Sequence, residues 1–154
     1  MSVEAIVLQS GEGKTLSLRG TQLAFKAVGN RPGGGPTVLE ITAAPGFSTG
    51  DHVHSKIEEI FYVVEGEFQI RAGDRSFTAH AGDFVLVPPG VPHGFGNPDG
   101  SPAKMVLLIS PAAIHERYFE ELAEILARPG APDIQAISEL RHRYDTEQLS
   151  PPTG

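Results

Sequence analysis

The chain contains the stretch GFSTGDHVHSKIEEIFYVVEG at residues 46–66 and a second stretch, GDFVLVPPGVPHGFGN, at residues 82–97. His52 and His54 are two residues apart on an extended segment, so their side chains point to the same face and can reach one ion. Glu59 opens a new strand after the following turn, and a third histidine stands in the second stretch. The spacing therefore predicts a metal site formed by His52, His54, Glu59 and His93.

Two adjacent carboxylates, Glu58 and Glu59, compete for the fourth position in this site. Alternate residues of a strand share a face, so Glu59 lies on the face of Phe61 and Val63, while Glu58 faces outward. This parity puts the Glu59 carboxylate at the mouth of a barrel whose deeper interior is apolar. We expect a substrate pocket near the ion that is lined by Phe61, Val63 and Phe95.

The ligand types restrict the metal, because a chain without cysteine can offer only nitrogen and oxygen ligands. Three imidazoles and one carboxylate, with positions left for water, suit Fe(II), Mn(II), Ni(II), Co(II) or Zn(II). The other histidines, His80, His115 and His142, lie outside both stretches and are interpreted as surface or hydrogen-bonded core residues rather than as ligands. The sequence thus predicts one divalent metal ion as cofactor.

The charge balance disfavours several classes of partner. The net charge is −7, and no run of lysines or arginines supplies the basic patch that a nucleic acid or an anionic membrane would need. No apolar stretch approaches the roughly 20 residues of a membrane span, and the first residues lack the pattern of a signal peptide. We expect a cytoplasmic protein that binds a small-molecule substrate, with no nucleic-acid and no membrane partner.

Short strands are predicted from about residue 6 to residue 109. The 18 glycines and 13 prolines are scattered between short runs rich in Val, Leu, Ile, Phe and Thr, a pattern that favours a sandwich or barrel. The stretch EEIFYVVEGEFQIRAG at residues 58–73 predicts a β-hairpin whose turn is Glu65-Gly66-Glu67.

The hydrophobic period changes after Ser110. An N-cap candidate in Ser110, Pro111 at the first helical position and apolar residues at helical spacing predict a helix that ends before Gly130. A second helix begins near Asp133. The apolar residues Tyr118, Phe119 and Leu122 are interpreted as a cover for the core. The predicted organisation is an all-β barrel at residues 1–110, C-terminal helices at residues 111–145 that pack on it, and a disordered tail at residues 146–154.

The two quoted stretches resemble the two sequence motifs of the cupin superfamily, G-x5-HxH-x3–4-E-x6-G and G-x5-PxG-x2-H-x3-N, at every defined position. The resemblance implies an all-β double-stranded β-helix, or jelly-roll barrel, with a metal at its centre. The FYVVEGEF stretch and the segment SPAAIHERYFEELAEI at residues 110–125 are most similar to the quercetin 2,3-dioxygenase-like group of small bacterial cupins. Ala113-Ile114-His115 stands where that group usually has a glycine and an aromatic residue.

Three functions remain open on this basis. The resemblance implies a metal-dependent oxidoreductase, a dioxygenase-like enzyme acting on a small aromatic or enol-containing compound, with Glu59 as a ligand or as a mobile general base. An isomerase, epimerase or lyase could use the same ion without O2. Sugar-handling versions line the mouth with charged residues, and Glu40 is the one inward candidate here. The third possibility is a non-catalytic small-ligand-binding module.

Open strand edges predict a homodimer. In cupins the first strands, here AIVLQ at residues 5–9, are often covered by exchange with a second subunit, which removes an exposed edge.

Overall fold

The computed structural model describes residues 4–98, 100–111 and 116–154. These residues form two antiparallel β-sheets followed by two helices. The strands are β1 (Lys14–Leu18), β2 (Thr21–Ala27), β3 (Thr37–Ala43), β4 (His52–Val53), β5 (Glu58–Glu65), β6 (Glu67–Ala72), β7 (Arg75–His80), β8 (Phe84–Val87), β9 (His93–Gly96), β10 (Ala103–Ser110) and β11 (Glu147–Gln148). The helices are α1 (Glu116–Leu126) and α2 (Ile134–Arg143).

The two sheets form the layers of a β-sandwich. The larger sheet has six strands in the order β1-β2-β3-β10-β5-β8, and the smaller has five in the order β11-β4-β9-β6-β7. Alternate residues of the central strands are buried, because one face of each sheet packs on the core. Fully buried side chains from both sheets include Phe61, Phe68, Leu39 and Met105. The predicted all-β jelly-roll body with C-terminal helices is confirmed.

The chain changes sheet at Gly66. Strand β5 pairs with β8 and β10, whereas β6 pairs with β7 and β9, so the two strands beside this glycine lie in different sheets. The predicted Glu65-Gly66-Glu67 hairpin is therefore wrong. The alternation of apolar and polar residues in two consecutive strands is the same whether they pair in one sheet or lie in opposite sheets across the core. The sequence pattern therefore does not distinguish the two arrangements.

Replacing Gly66 by alanine is expected to lower the free energy of unfolding by roughly 2 kcal/mol. Gly66 has a φ of +73°, and a Cβ there would lie 3.0 Å from Cα and Cβ of Ala103. Gly82→Ala is the matched control, because φ is +92° but nothing lies within 4 Å of its added Cβ. Urea unfolding should show the larger loss for Gly66→Ala; equal losses would show that the contact with Ala103 costs nothing.

The first helix differs from the prediction at its start, whereas the second agrees with it. Ser110 is the last residue of β10 and is followed by a cis peptide bond to Pro111. The prediction that Ser110 caps the first helix is therefore wrong, because its backbone continues the sheet and pairs with Glu58. The predicted helix residues Ile114 and His115 lie outside the described residues. Helix α2 begins next to Asp133, as predicted, and Asp133 caps it: its Oδ1 accepts a hydrogen bond from the N–H of Ala136 at 3.0 Å.

Helix α1 packs on β1 and against α2, and the ring of Phe119 lies 5.9 Å from that of Phe25 in β2. Neither α1 nor α2 has the length and apolar character that crossing a membrane requires, and the same holds throughout the part of the chain that is described. The helices thus cover part of the β body.

The last residues of the chain are attached to the smaller sheet. Strand β11 pairs with β4, and Thr153 exchanges backbone hydrogen bonds of 2.9 and 3.0 Å with Ser48. Thr146 is buried. The prediction of a disordered tail at residues 146–154 is therefore wrong. A segment rich in proline, serine and glycine has no periodicity to detect, yet its backbone groups find partners on an open strand edge.

Two apolar surfaces remain exposed in the single chain. The predicted first strand, residues 5–9, lies outside every strand of the structure, and Ile6, Val7 and Leu8 face solvent. Strand β8 is an edge of the larger sheet. The outer apolar face, as we call the exposed side of β5 and β8, consists of Tyr62, Val64, Phe84 and Leu86.

Candidate metal centre

The three histidines of the predicted site and Glu59 converge between the two sheets. His52 in β4 is the register partner of His93 in β9, and Glu59 projects from β5 of the opposite sheet. One ligand atom from each of His52, His54, Glu59 and His93 lies within 4.8 Å of the other three. Two ligand atoms that hold one ion at about 2.1 Å are at most about 4.2 Å apart. Small side-chain movements would therefore close the four groups on a metal ion, and the donor set fits a divalent metal.

Each ligand histidine is oriented by its Nδ1 atom, which donates a hydrogen bond to a backbone carbonyl. The acceptors are the carbonyl oxygens of Gly50 for His52, Asp145 for His54 and Val91 for His93, at 3.0, 3.0 and 2.9 Å. A proton held on Nδ1 leaves the Nε2 lone pair available for a metal and fixes the plane of the ring. This arrangement is the usual support of a metal-binding histidine.

The Glu59 carboxylate faces the ring nitrogens. Its Oε1 lies 3.2 Å from Nε2 of His54 and its Oε2 lies 3.1 Å from Nε2 of His93. Burial by itself would raise the pKa of Glu59, which is only 5% exposed, but the hydrogen bonds and charges of the two histidines outweigh burial and hold that pKa well below its usual range. Glu59 is therefore ionised at neutral pH. Glu58 points away from the site and is half-buried.

Burial affects the first two histidines of the site differently. It lowers the pKa of His52 to about 3, which keeps this imidazole neutral and ready to bind a metal. Burial also acts to lower the pKa of His54, but the hydrogen bond and charge of Glu59 exceed it, so the pKa of His54 is raised above 6.5. Below this raised pKa the metal-free site holds a proton on His54, which a metal would have to displace.

The stabilisation of the fold by a bound metal is expected to grow as the pH rises from 6.5 through the raised pKa of His54. The pKa of His54 is higher in the folded protein than its value of 6.5 in the unfolded chain, so protonation of His54 stabilises the metal-free fold. This stabilisation is complete at pH values below 6.5. It is lost as the pH rises through the pKa of the folded protein. Calorimetric melting with and without Zn²⁺ measures the difference at each pH. If the difference in melting temperature with and without Zn²⁺ does not change with pH, proton displacement is contradicted. The control is His80→Ala, which removes an exposed histidine and should leave the pH dependence of this difference unchanged.

The C-terminal segment supports His54 from behind. Oγ1 of Thr146 lies 3.0 Å from Nδ1 of His54 and also donates to the carbonyl of Tyr144 at 3.1 Å. The carbonyl of Asp145 accepts from the same Nδ1. Sequence reasoning missed these residues, because they are about 90 positions from the ligand and belong to no motif.

The Asp145 carboxylate fixes the turn that separates the HxH pair from Glu59. It accepts hydrogen bonds from the backbone N–H of Ser55 at 3.1 Å and of Lys56 at 2.8 Å. Asp145 itself has a left-handed φ of +52°, a conformation that aspartate tolerates better than most residues. The tail thus positions both one ligand and the turn beside it.

A largely apolar pocket opens onto His52, His54 and Glu59. The volume of its cavity is about 80 Å³. Phe95 lines this pocket. Phe61 and Val63 do not, because both are completely buried in the core. The expectation that Phe61 and Val63 line the pocket is therefore corrected. Strand alternation predicts the face on which a side chain lies, but not whether that part of the face lines a pocket or is packed in the core.

Much of the pocket wall comes from residues that the sequence suggested only as a cover for the core. Tyr118, Phe119 and Leu122 of α1 line the pocket together with Ile137 and Arg141 of α2. Helical periodicity indicates which residues are buried, but it does not indicate that they cover a cavity. The helices therefore form one side of the candidate site.

The remaining polar candidates lie away from the site. Glu40 faces outward and pairs with Lys104 at 3.8 Å, so it is not the inward charge that was considered. His80 is exposed beside Glu67, and His142 is exposed on α2, as predicted. The interpretation of His115 as a surface or hydrogen-bonded core residue falls outside the described part of the chain.

Residues 39–109 match the family model of the cupin domain. The two-sheet fold and the histidine–glutamate cluster agree with a cupin domain over these residues, the relationship that the motifs predicted.

Three similar proteins illustrate the range of this relationship. An uncharacterized protein of Methanocaldococcus jannaschii is 30% identical over 80 residues, which cover 52% of this chain and 64% of that protein. The polyketide synthase CurC of Streptomyces cyaneus is 33% identical over 69 residues, covering 45% of each chain. The chain thus spans less than two thirds of the length of both curated relatives. An RmlC-like cupin from Shewanella frigidimarina superposes with a TM-score of 0.60 at 23% identity, over 71% of this chain and 93% of that one, a likeness of fold alone.

Proposed function

We propose that this protein is a metal-dependent, quercetin 2,3-dioxygenase-like enzyme that oxidises a small aromatic or enol-containing compound. The observation that carries the proposal is the convergence of three oriented imidazoles and a carboxylate at one end of an apolar pocket. A divalent ion bound there would supply Lewis-acid polarisation of a substrate oxygen. The aromatic side chains of Phe47, Phe95, Tyr118 and Phe119 in the pocket wall suit a planar substrate.

The similarity to CurC supports this choice of substrate class. CurC is named as a polyketide synthase, and polyketides are rich in carbonyl groups that can enolise. The largely apolar lining also favours an enol or aromatic compound over a sugar, and Glu40 adds no charge to it because it points outward and pairs with Lys104. Arg141 is the charged pocket residue that this substrate class leaves unexplained.

The function is tested with protein purified without chelator and without nickel affinity. Its metal content is measured, and the protein is then reconstituted separately with Fe(II), Mn(II), Ni(II) and Co(II). With a flavonol or a related enol, O2 uptake is expected for at least one metal and is expected to disappear in His54→Ala. No uptake across the panel would overturn the oxygenase proposal. Solvent deuterium entering a substrate under argon would indicate an isomerase, epimerase or lyase instead, and a tight ligand without turnover would indicate a binding protein.

The same assay distinguishes the two possible roles of Glu59, fixed metal ligand and general base. Glu59→Gln keeps the shape of the side chain and removes its charge. If Glu59 is a fixed ligand, the variant loses metal; if Glu59 is the base that accepts the proton of a substrate hydroxyl, the variant keeps its metal and loses O2 uptake. Both outcomes are read from metal content and rate on one preparation.

We also propose that the protein is a homodimer. Phe84, in the outer apolar face, is 60% exposed and lies on an edge strand. Ile6, Val7 and Leu8, near the N-terminus, are also exposed. A second copy would cover these surfaces and the open edge. Light scattering is expected to give twice the mass of one chain, and Phe84→Glu should shift the protein toward the monomer. Gln22→Glu, at an exposed position of β2, is the matched control, and a monomeric wild type would overturn the proposal.

A further inference from the structure

Arg141 is an unusual residue for its position on α2. The two basic residues that follow it in the last turn, His142 and Arg143, are exposed, and Arg143 pairs with Glu121 at 2.9 Å. Arg141 instead points inward, is only 6% exposed and lines the pocket. Burying a guanidinium is unfavourable unless an anion compensates its charge.

The protein itself compensates this charge incompletely. Nη1 of Arg141 donates to the carbonyl of Thr49 at 2.8 Å and to Oε1 of Gln148, and both acceptors are neutral. The Nε atom is buried without a hydrogen-bond partner. Across residues 4–98, 100–111 and 116–154, no carboxylate forms an ion pair with Arg141. An arginine can donate two parallel hydrogen bonds to a carboxylate from its Nε and Nη2 atoms. In Arg141 this side of the guanidinium is therefore left for an acceptor outside the protein.

Arg141 is also next to the metal centre. Thr49, which holds Nη1, precedes Gly50, whose carbonyl orients His52. Gln148, the other partner of Nη1, is the register partner of His52 in the smaller sheet. A molecule in the pocket could therefore contact Arg141 and the metal ligands together.

We propose that Arg141 is a specificity-determining residue that binds the carboxylate of a small substrate with an apolar body. The inference deepens the proposed function, because it names the second polar group that the substrate must carry. A purely structural role would need only Nη1, the atom that ties the tail to the loop before β4. Such a role would not explain why a permanent charge and an unpaired N–H are buried against an apolar pocket.

The test compares carboxylates with their neutral amides, using benzoate and benzamide, cinnamate and cinnamamide, and hexanoate and hexanamide. Binding to the full chain is measured by calorimetry, both metal-free and loaded with Zn²⁺. At least one carboxylate is expected to bind about tenfold or more tightly than its amide. The preference is expected in the metal-free protein too, which separates Arg141 from direct binding of the carboxylate to the ion.

The variants are Arg141→Gln, which removes the charge, and Arg141→Lys, which keeps it without the planar fork. Arg141→Gln is expected to reduce the preference for the carboxylate to about twofold or less, and Arg141→Lys to retain part of it. Arg143→Gln, an exposed arginine two residues away, is the matched control and should keep the full preference. In wild-type protein, the Nε–H signal of Arg141 in a nitrogen–proton NMR spectrum should shift when the carboxylate is added, so the test stands even if Arg141→Gln does not fold.

Equal binding of every carboxylate and its amide to wild-type protein would overturn the proposal, as would a preference that survives in folded Arg141→Gln. An unmoved Nε–H signal on addition of a bound carboxylate would also overturn it. These outcomes are distinct from failure of the proposed function. A carboxylate preference without metal binding or O2 uptake would defeat the oxygenase and leave Arg141 as an anion site.

Discussion

Replacing His93 by alanine is expected to abolish stoichiometric binding of a divalent metal. The imidazole of His93 is almost fully buried, its Nδ1 is held by Val91, and its Nε2 faces Glu59 at 3.1 Å. Loss of residues that only orient a ligand typically costs 10- to 100-fold in affinity, so loss of the ligand itself should cost more than about 100-fold. Metal content after purification without chelator or nickel affinity measures the change, together with competition against a chromogenic chelator.

The matched control for this substitution is His80→Ala, because His80 is a histidine on the surface of β7 with no contact to the site. It should retain the metal content of the wild type. Circular dichroism of both variants establishes that the sheets are formed. A folded His93→Ala protein with full metal occupancy would contradict the assignment of the site.

Removing residues 146–154 is expected to weaken both the fold and the metal centre. The deletion eliminates β11 and the buried Thr146, and with Thr146 one of the contacts that orient His54. Lost hydrogen bonds of about 1 kcal/mol each, together with newly exposed backbone on β4, predict a decrease of roughly 3 kcal/mol in the free energy of unfolding. Metal affinity should fall about tenfold or more. Urea unfolding and metal titration measure the two effects.

A shorter deletion, of residues 149–154, keeps Thr146 and β11 and serves as the control. It should retain most of the metal affinity, because the contacts to His54 remain. The single change Thr146→Val, which removes the hydroxyl and keeps the shape of the side chain, should reproduce part of the loss in affinity with a smaller loss in stability. Wild-type metal affinity in the longer deletion would show that the tail is not needed to orient the ligand.

The four candidate metal ligands could be predicted to lie together from the sequence because their positions follow from local geometry. His52 and His54 share a face through strand alternation, and the same parity separates Glu59 from Glu58. Each rule involves only a few neighbouring residues, and the structure agrees with each. The fold class followed in the same way from many short alternating strands between glycines and prolines.

The features that could not be predicted depend on contacts between distant residues. Strand alternation does not say which strand is the neighbour, so the change of sheet at Gly66 was interpreted as a hairpin. The support of His54 by Asp145 and Thr146 joins residues that no periodic pattern relates. The pocket wall likewise depends on where α1 lies on the β body, and a helical pattern gives only the side that is buried.

The hydrogen bond from His54 to the carbonyl of Asp145 spans 91 positions of the chain. Contacts between such distant residues close the largest loops and tend to form late in folding. An ion that arrives early would therefore meet imidazoles whose rings are not yet aligned, and the full affinity would develop only when the tail docks. By thermodynamic reciprocity, the ion that benefits from the docked tail must also hold the tail in place. If a metal binds at this site, its supply and the protection of residues 146–154 from proteases would therefore be linked.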